Sequence, residues 1–209
     1  SVCGPFFGLA PFNNTRYSEQ WAKECIEFNN QVMQWIGNSS SLKYVVLGSM
    51  FEQYTSNGWS FLTENGVIGF DKDIALKYLL NTLDALERKG IRPIIVAPPP
   101  TNGEDIGRCL VRTTLFGSDP SRCDISWADS AEKQAAVIKL LSEVSKRYRV
   151  IWLADEICSG GICNAKGGGY FIYRDARHLS REGSAYLGRK MHFYEAITAP
   201  QITAPKNYF

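Results

Sequence analysis

Apolar positions along the chain fall into long periodic runs alternating with short continuous ones. Ser18 stands where it can cap a helix reaching about residue 36, with Trp21, Cys25, Phe28, Val32, Trp35 and Ile36 sharing a face. Residues 43–47 form an apolar run that ends at Gly48-Ser49 and reads as a buried strand. A second helical period starts at Asp71 and runs to residue 89, with Ile74, Tyr78, Leu79, Leu83 and Leu86 inward and Gly90 as the stop. Residues 92–97 give the next strand, closed by three prolines. Ser130 or Asp129 caps a third helix through Tyr148, 149–154 is a further short strand, and a final helix starts at Ser180. Residues 1–16, 50–70 and 101–128 read as irregular, and 194–209 as a polar tail. This alternation predicts an α/β fold with a parallel sheet covered by helices on both faces. Sites in such sheets form at the carboxyl ends of strands, which points to Ser49, Pro98 and residues 155–178.

Composition narrows the classes. With 209 residues, 44% of them hydrophobic, the chain can bury one sizeable core, and a single domain over 1–209 is expected. A formal charge of +2 without lysine–arginine blocks or interleaved aromatics predicts no nucleic-acid partner. No apolar run approaches the roughly 18 residues that read as a membrane span, and no signal peptide is visible, although a trimmed chain would lack one. The six cysteines form three sequence-local pairs, Cys3 with Cys25, Cys109 with Cys123, and Cys158 with Cys163. Local pairing into disulfides is the simplest reading and implies an oxidising compartment. A zinc site is disfavoured by the spacings and the two histidines, so no metal or cofactor is expected; scattered buried thiols are the other alternative.

The chemistry concentrates late in the chain. After the apolar run 170–173, Asp175 and His178 stand three residues apart, just before Ser180 as helix N-cap. A carboxylate that holds an imidazole in one tautomer, with the other ring nitrogen facing out, is the acid–base half of a nucleophilic hydrolase site. The plain alternative is an exposed turn of solvated charges. The aromatic stretch with Phe51, Tyr54, Trp59, Phe61 and Phe70 offers two readings as well, a sugar-stacking surface or a packed loop.

The segment Tyr173-Arg174-Asp175-Ala176-Arg177-His178-Leu179-Ser180-Arg181-Glu182-Gly183 resembles the last conserved block of the SGNH-hydrolase superfamily. More narrowly, it is similar to the periplasmic C-terminal domain of membrane acyltransferase-3 proteins, which O-acetylate surface polysaccharides. Cys3-Gly4-Pro5, Tyr44-Val45-Val46-Leu47, Ile94-Ile95-Val96-Ala97-Pro98-Pro99-Pro100, Arg108-Cys109-Leu110 with Cys123, and the Cys158…Cys163 loop extend the likeness over nearly the whole chain. The resemblance implies a flavodoxin-like three-layer sandwich, with Asp175 as triad acid and His178 as general base. The family's nucleophile sits in a Gly-Asp-Ser motif, and no such triplet occurs in 1–209. The resemblance therefore places the serine and its strand upstream, making the domain N-terminally incomplete. Ser49, after Gly48 at a strand end, is the in-chain alternative, and Met50-Phe51 replace an arginine and tryptophan common in the acyltransferase subgroup. The implied function is acyl transfer, acetyl in the first instance, to polysaccharide hydroxyls. The acyl donor would come from a membrane acyltransferase module and the acceptor would be a glycan. The site would lie in the periplasm or otherwise outside the cytoplasm, tethered to the inner membrane. A carbohydrate O-acetyl esterase and a non-catalytic glycan-binding relative are the alternatives.

Overall fold

In a computed structural model of the chain, residues 3–200 are described. The strand Tyr44–Gly48 pairs in parallel with Arg92–Val96, Tyr44 opposite Arg92 through Gly48 opposite Val96, and Arg149–Ile151 joins on the far side of Arg92–Val96. Parallel strands need crossover connections, and the helices supply them. The expected α/β architecture with a parallel sheet is present. The chain divides into two compact units. One holds residues up to Val96 with Ala136–Val150, and the other holds Ala97–Ala135 with Ile151–Pro200.

In the first unit, Ser18 caps the helix Glu19–Gly37 by accepting from Trp21 N at 3.2 Å. Ala22, Cys25 and Ile36 are its buried positions. Trp35, expected on the inner face, is 65% exposed, and Phe28 is also exposed, because the inward stripe is narrower than the apolar pattern. Asp71 caps Lys72–Glu87, accepting from Asp73 N and Ile74 N, and Gly90 turns the chain with φ +74°. Arg92–Val96 buries Pro93, Ile94 and Ile95. Tyr44–Gly48, expected to be buried, is instead the edge strand among the described residues, half-exposed, with Val46 open to solvent. Among the described residues, only one of its sides has a hydrogen-bonded strand neighbour.

The stretches read as irregular hold more order than expected. Leu9–Phe12 pairs antiparallel with Ser60–Thr63, which pairs with Gly66–Gly69, so residues 1–16 and 50–70 meet in one small sheet. Phe51, Tyr54 and Phe61 are fully buried there, with Phe6 stacked on Tyr54 at 3.6 Å between centroids. The packed-loop reading of these aromatics holds for those three side chains.

The second unit is built from the excursion 101–128 and the segment after Ile151. The excursion contains the helix Ile106–Leu115, a 3₁₀ turn Pro120–Cys123 and the short strand Ile125–Ser126. Ile125–Ser126 pairs with Ile162–Cys163, which pairs with Cys158–Ser159. The third helix expected through Tyr148 is two, Trp127–Lys133 capped by Ser126 and Ala135–Ser145. The break falls at Gln134, whose amide nitrogen donates to Pro99 O at 3.2 Å. The hairpin Lys166–Gly167/Tyr170–Phe171 leads to Arg181–Lys190, and the helix Phe193–Thr198 follows, at the start of the region read as tail. Residues 201–209 lie outside the described residues. The three disulfides Cys3–Cys25, Cys109–Cys123 and Cys158–Cys163 join the sequence-local pairs, and no cysteine is free.

Candidate active site

Asp175 and His178 lie in the turn between Tyr170–Phe171 and the helix Arg181–Lys190. Tyr173 and Leu179 form an antiparallel bridge, and Arg174 N donates to His178 O at 2.9 Å, so the turn is closed on itself. Ser180 anchors its exit. Ser180 N donates to Ile172 O, Ser180 Oγ donates to Phe171 O, and that hydroxyl accepts from Gly183 N at 2.8 Å as N-cap.

Within the turn, the Asp175 carboxylate takes almost every donor in reach. Oδ1 accepts from Arg177 N and His178 N, both at 2.9 Å, and Oδ2 accepts from Arg174 Nε at 3.1 Å. The imidazole Nδ1 of His178 stands 2.9 Å from Oδ1 and 3.0 Å from Oδ2. Partial burial works to raise the Asp175 pKa. The hydrogen bonds from Arg177 N–H, from the ring and N–H of His178 and from Arg174 outweigh it, holding the carboxyl well below the usual carboxylate range. An ionised acceptor at Nδ1 assigns the proton to Nδ1 and leaves the Nε2 lone pair free. The ring is 59% exposed against 36% for the carboxylate, so Nε2 is open to an incoming group while the carboxylate is partly screened. Among the described residues nothing hydrogen-bonds Nε2.

Thr101 and Gly107, which the sequence pattern did not single out, hold this turn together with Ser130, which was expected to cap a helix and instead lies inside Trp127–Lys133. Thr101 Oγ1 donates to Ala176 O at 2.7 Å and accepts from Gly103 N at 3.0 Å. The fully buried Ser130 accepts from Thr101 N at 3.0 Å. Gly107 lets its helix lie against the strand leading into the turn; a Cβ there would stand 1.9 Å from Arg174 O. Gly183 does the same from the other side, with 2.5 Å to Ile172 O. The available signal was Thr101 directly after three prolines at a strand's carboxyl end; Gly107 fell in a stretch read as irregular and carried none.

Ser49 belongs to the first unit, where its Oγ accepts from Phe51 N at 3.3 Å, beside the left-handed Phe51 (φ 57°). This is a turn-stabilising contact. The turn around Asp175 is in the second unit.

A solved structure, the periplasmic domain of a lipopolysaccharide acetyltransferase from Salmonella ser. Paratyphi A, is similar in fold with a TM-score of 0.52 at 19% identity. The likeness covers 81% of this chain and 62% of that one, so the chain spans less than two thirds of that domain's length. No curated protein matches the chain. The SGNH domain family, described as fused to AT3 domains, matches over residues 1–193, and the chain belongs to that family.

Proposed function

We propose that this domain transfers an acyl group, in the first instance acetyl, to hydroxyls of a surface polysaccharide, with His178 as general base and Asp175 as the group that orients it. The observation that carries the reading is the ionised Asp175 gripping Nδ1 through both oxygens while Nε2 is free and open to solvent. The nucleophilic serine is supplied from outside residues 1–209, on a strand that pairs with the open edge of Tyr44–Gly48. The half-exposed apolar residues of that edge support this, since an unpaired strand with apolar side chains is a poor surface to leave in water.

In this mechanism the serine hydroxyl attacks the donor's acyl carbonyl and its proton passes to Nε2 of His178. Asp175 stabilises the imidazolium. The leaving group takes that proton as the acyl-enzyme forms. An acceptor hydroxyl then attacks the acyl carbon, giving its proton to Nε2, and the serine recovers it on departure. The donor is delivered by the membrane acyltransferase module that the family's AT3 fusion supplies. The site faces an oxidising compartment outside the cytoplasm, in keeping with three disulfides.

The test is acetyl transfer by the full-length protein to a delipidated polysaccharide, followed by mass spectrometry. His178→Ala is expected to lower the rate by about 10³-fold or more without unfolding the domain, because the ring is mostly exposed. Equal rates in both proteins would leave a glycan-binding role as the better account. Acetate released to water at the same rate with and without acceptor would make it an esterase.

A further inference from the structure

The first unit carries a cleft of about 470 Å³ that takes no part in the chemistry above. Its apolar wall is Phe70, Leu76 and Leu140. Phe70, alone of the aromatic stretch 50–70, lines this cleft; its ring leans on the fully buried Phe61 with centroids 5.9 Å apart and is held in place by it. The polar rim comes from Asn57 on the turn after Glu52–Thr55, from Lys72 and Asp73 at the start of Lys72–Glu87, and from Lys139 and Glu143 on Ala135–Ser145. Among the described residues, the side chains of Asn57, Lys72, Asp73 and Lys139 have no hydrogen-bond or ion-pair partner. Lys139 and Glu143 are one helical turn apart and not bonded to each other, since Glu143 pairs with Lys146 at 2.6 Å.

We propose that this cleft binds a neutral saccharide unit, as a second glycan site apart from the Asp175–His178 turn. The lining carries both signs, Lys72 and Lys139 against Asp73 and the Lys146-paired Glu143, with no block of one sign to select an anion or a cation, which favours a ligand without net charge. One flat aromatic face and two leucines match the C–H face of a pyranose ring. Donors and acceptors of both kinds around it match ring hydroxyls, which act as both. The volume is within the range of roughly 300–1,000 Å³ that small-ligand sites occupy. The site rests on the polysaccharide reading above only for which glycan fills it. There it would hold a repeat unit of the acceptor chain.

The experiment is saturation-transfer NMR on the full-length protein with neutral methyl hexopyranosides and with delipidated O-polysaccharide. Phe70→Ala is expected to weaken binding about tenfold. Lys139→Ala and Asp73→Asn, both at exposed positions, are expected to weaken it without touching the fold. Unaltered binding in Phe70→Ala, Lys139→Ala and Asp73→Asn alike overturns the proposal, as does the absence of any saccharide signal, and neither result bears on acyl transfer. Undiminished acyl transfer in the His178→Ala protein would instead overturn the catalytic reading and leave the cleft standing. Tighter binding of an acidic saccharide than of its neutral counterpart would overturn the assignment of a neutral ligand.

Discussion

Gly107→Ala probes how rigidly the turn that carries Asp175 and His178 is held. A Cβ at position 107 would stand 1.9 Å from Arg174 O, 2.3 Å from Arg174 C and 2.9 Å from Asp175 N. Carbon–oxygen contacts settle at about 3.3 Å, so the two backbones must part by roughly 1.4 Å. Neither can yield cheaply. Arg174 N is bonded to His178 O, while Gly107 lies in a helix tied by Cys109–Cys123. The displacement therefore passes into Asp175, whose neighbour is the residue being pushed. A misplacement of about 1 Å can lower kcat about 10²-fold, and the overpacking should cost about 1–3 kcal/mol of stability. The measurement is kcat for acetyl transfer at saturating acceptor in the full protein, with a urea transition on the same sample. Gly188→Ala is the control. It lies in the helix Arg181–Lys190 with nothing within 4 Å of its added carbon, so it should stabilise by about 0.5–1 kcal/mol and leave kcat alone. A folded Gly107→Ala protein with the wild-type kcat would refute the idea that this backbone contact positions Asp175.

Thr101→Val keeps the shape but removes the bonds to Ala176 O and from Gly103 N; it should cost about 1–3 kcal/mol in urea unfolding and lower kcat more than it changes KM. Asp175 has a depressed folded pKa, so its contribution to stability is complete above the ordinary carboxylate range and is lost as pH falls through the folded value. The urea-midpoint gap between wild type and Asp175→Asn should accordingly be constant near neutrality and close on acidification; a gap that widens in acid would contradict the assignment. Replacing Cys109 and Cys123 with serine opens a loop with a sequence separation of 14. That should cost about 3 kcal/mol, seen as a lower Tm.

The sequence carried the Asp175–His178 contact because both partners sit in one short turn. A separation of three residues lets the Asp175 carboxylate reach the backbone N–H of residue 178 and its ring together, so local geometry suffices. The helix starts at Ser18, Asp71 and Ser180 were legible for the same reason, since a cap is an interaction between a side chain and the next turn. The cysteine pairs, close in sequence, were legible too.

What the sequence could not decide is where long-range pairing falls. Leu9–Phe12 becomes a strand only because Ser60–Thr63 lies beside it, and neither segment has a period that announces the other. The apolar run at 44–48 looks the same whether one or two neighbours flank it, so its exposure was decided by the sheet order. Thr101, Ser130 and Gly107 support the turn from about 45 to 75 residues away along the chain, a coupling that exists only once the backbone has folded back. Local hydrogen bonds and capping are encoded within a few residues; packing partners are not, because a side chain's surroundings are set by every segment that reaches it.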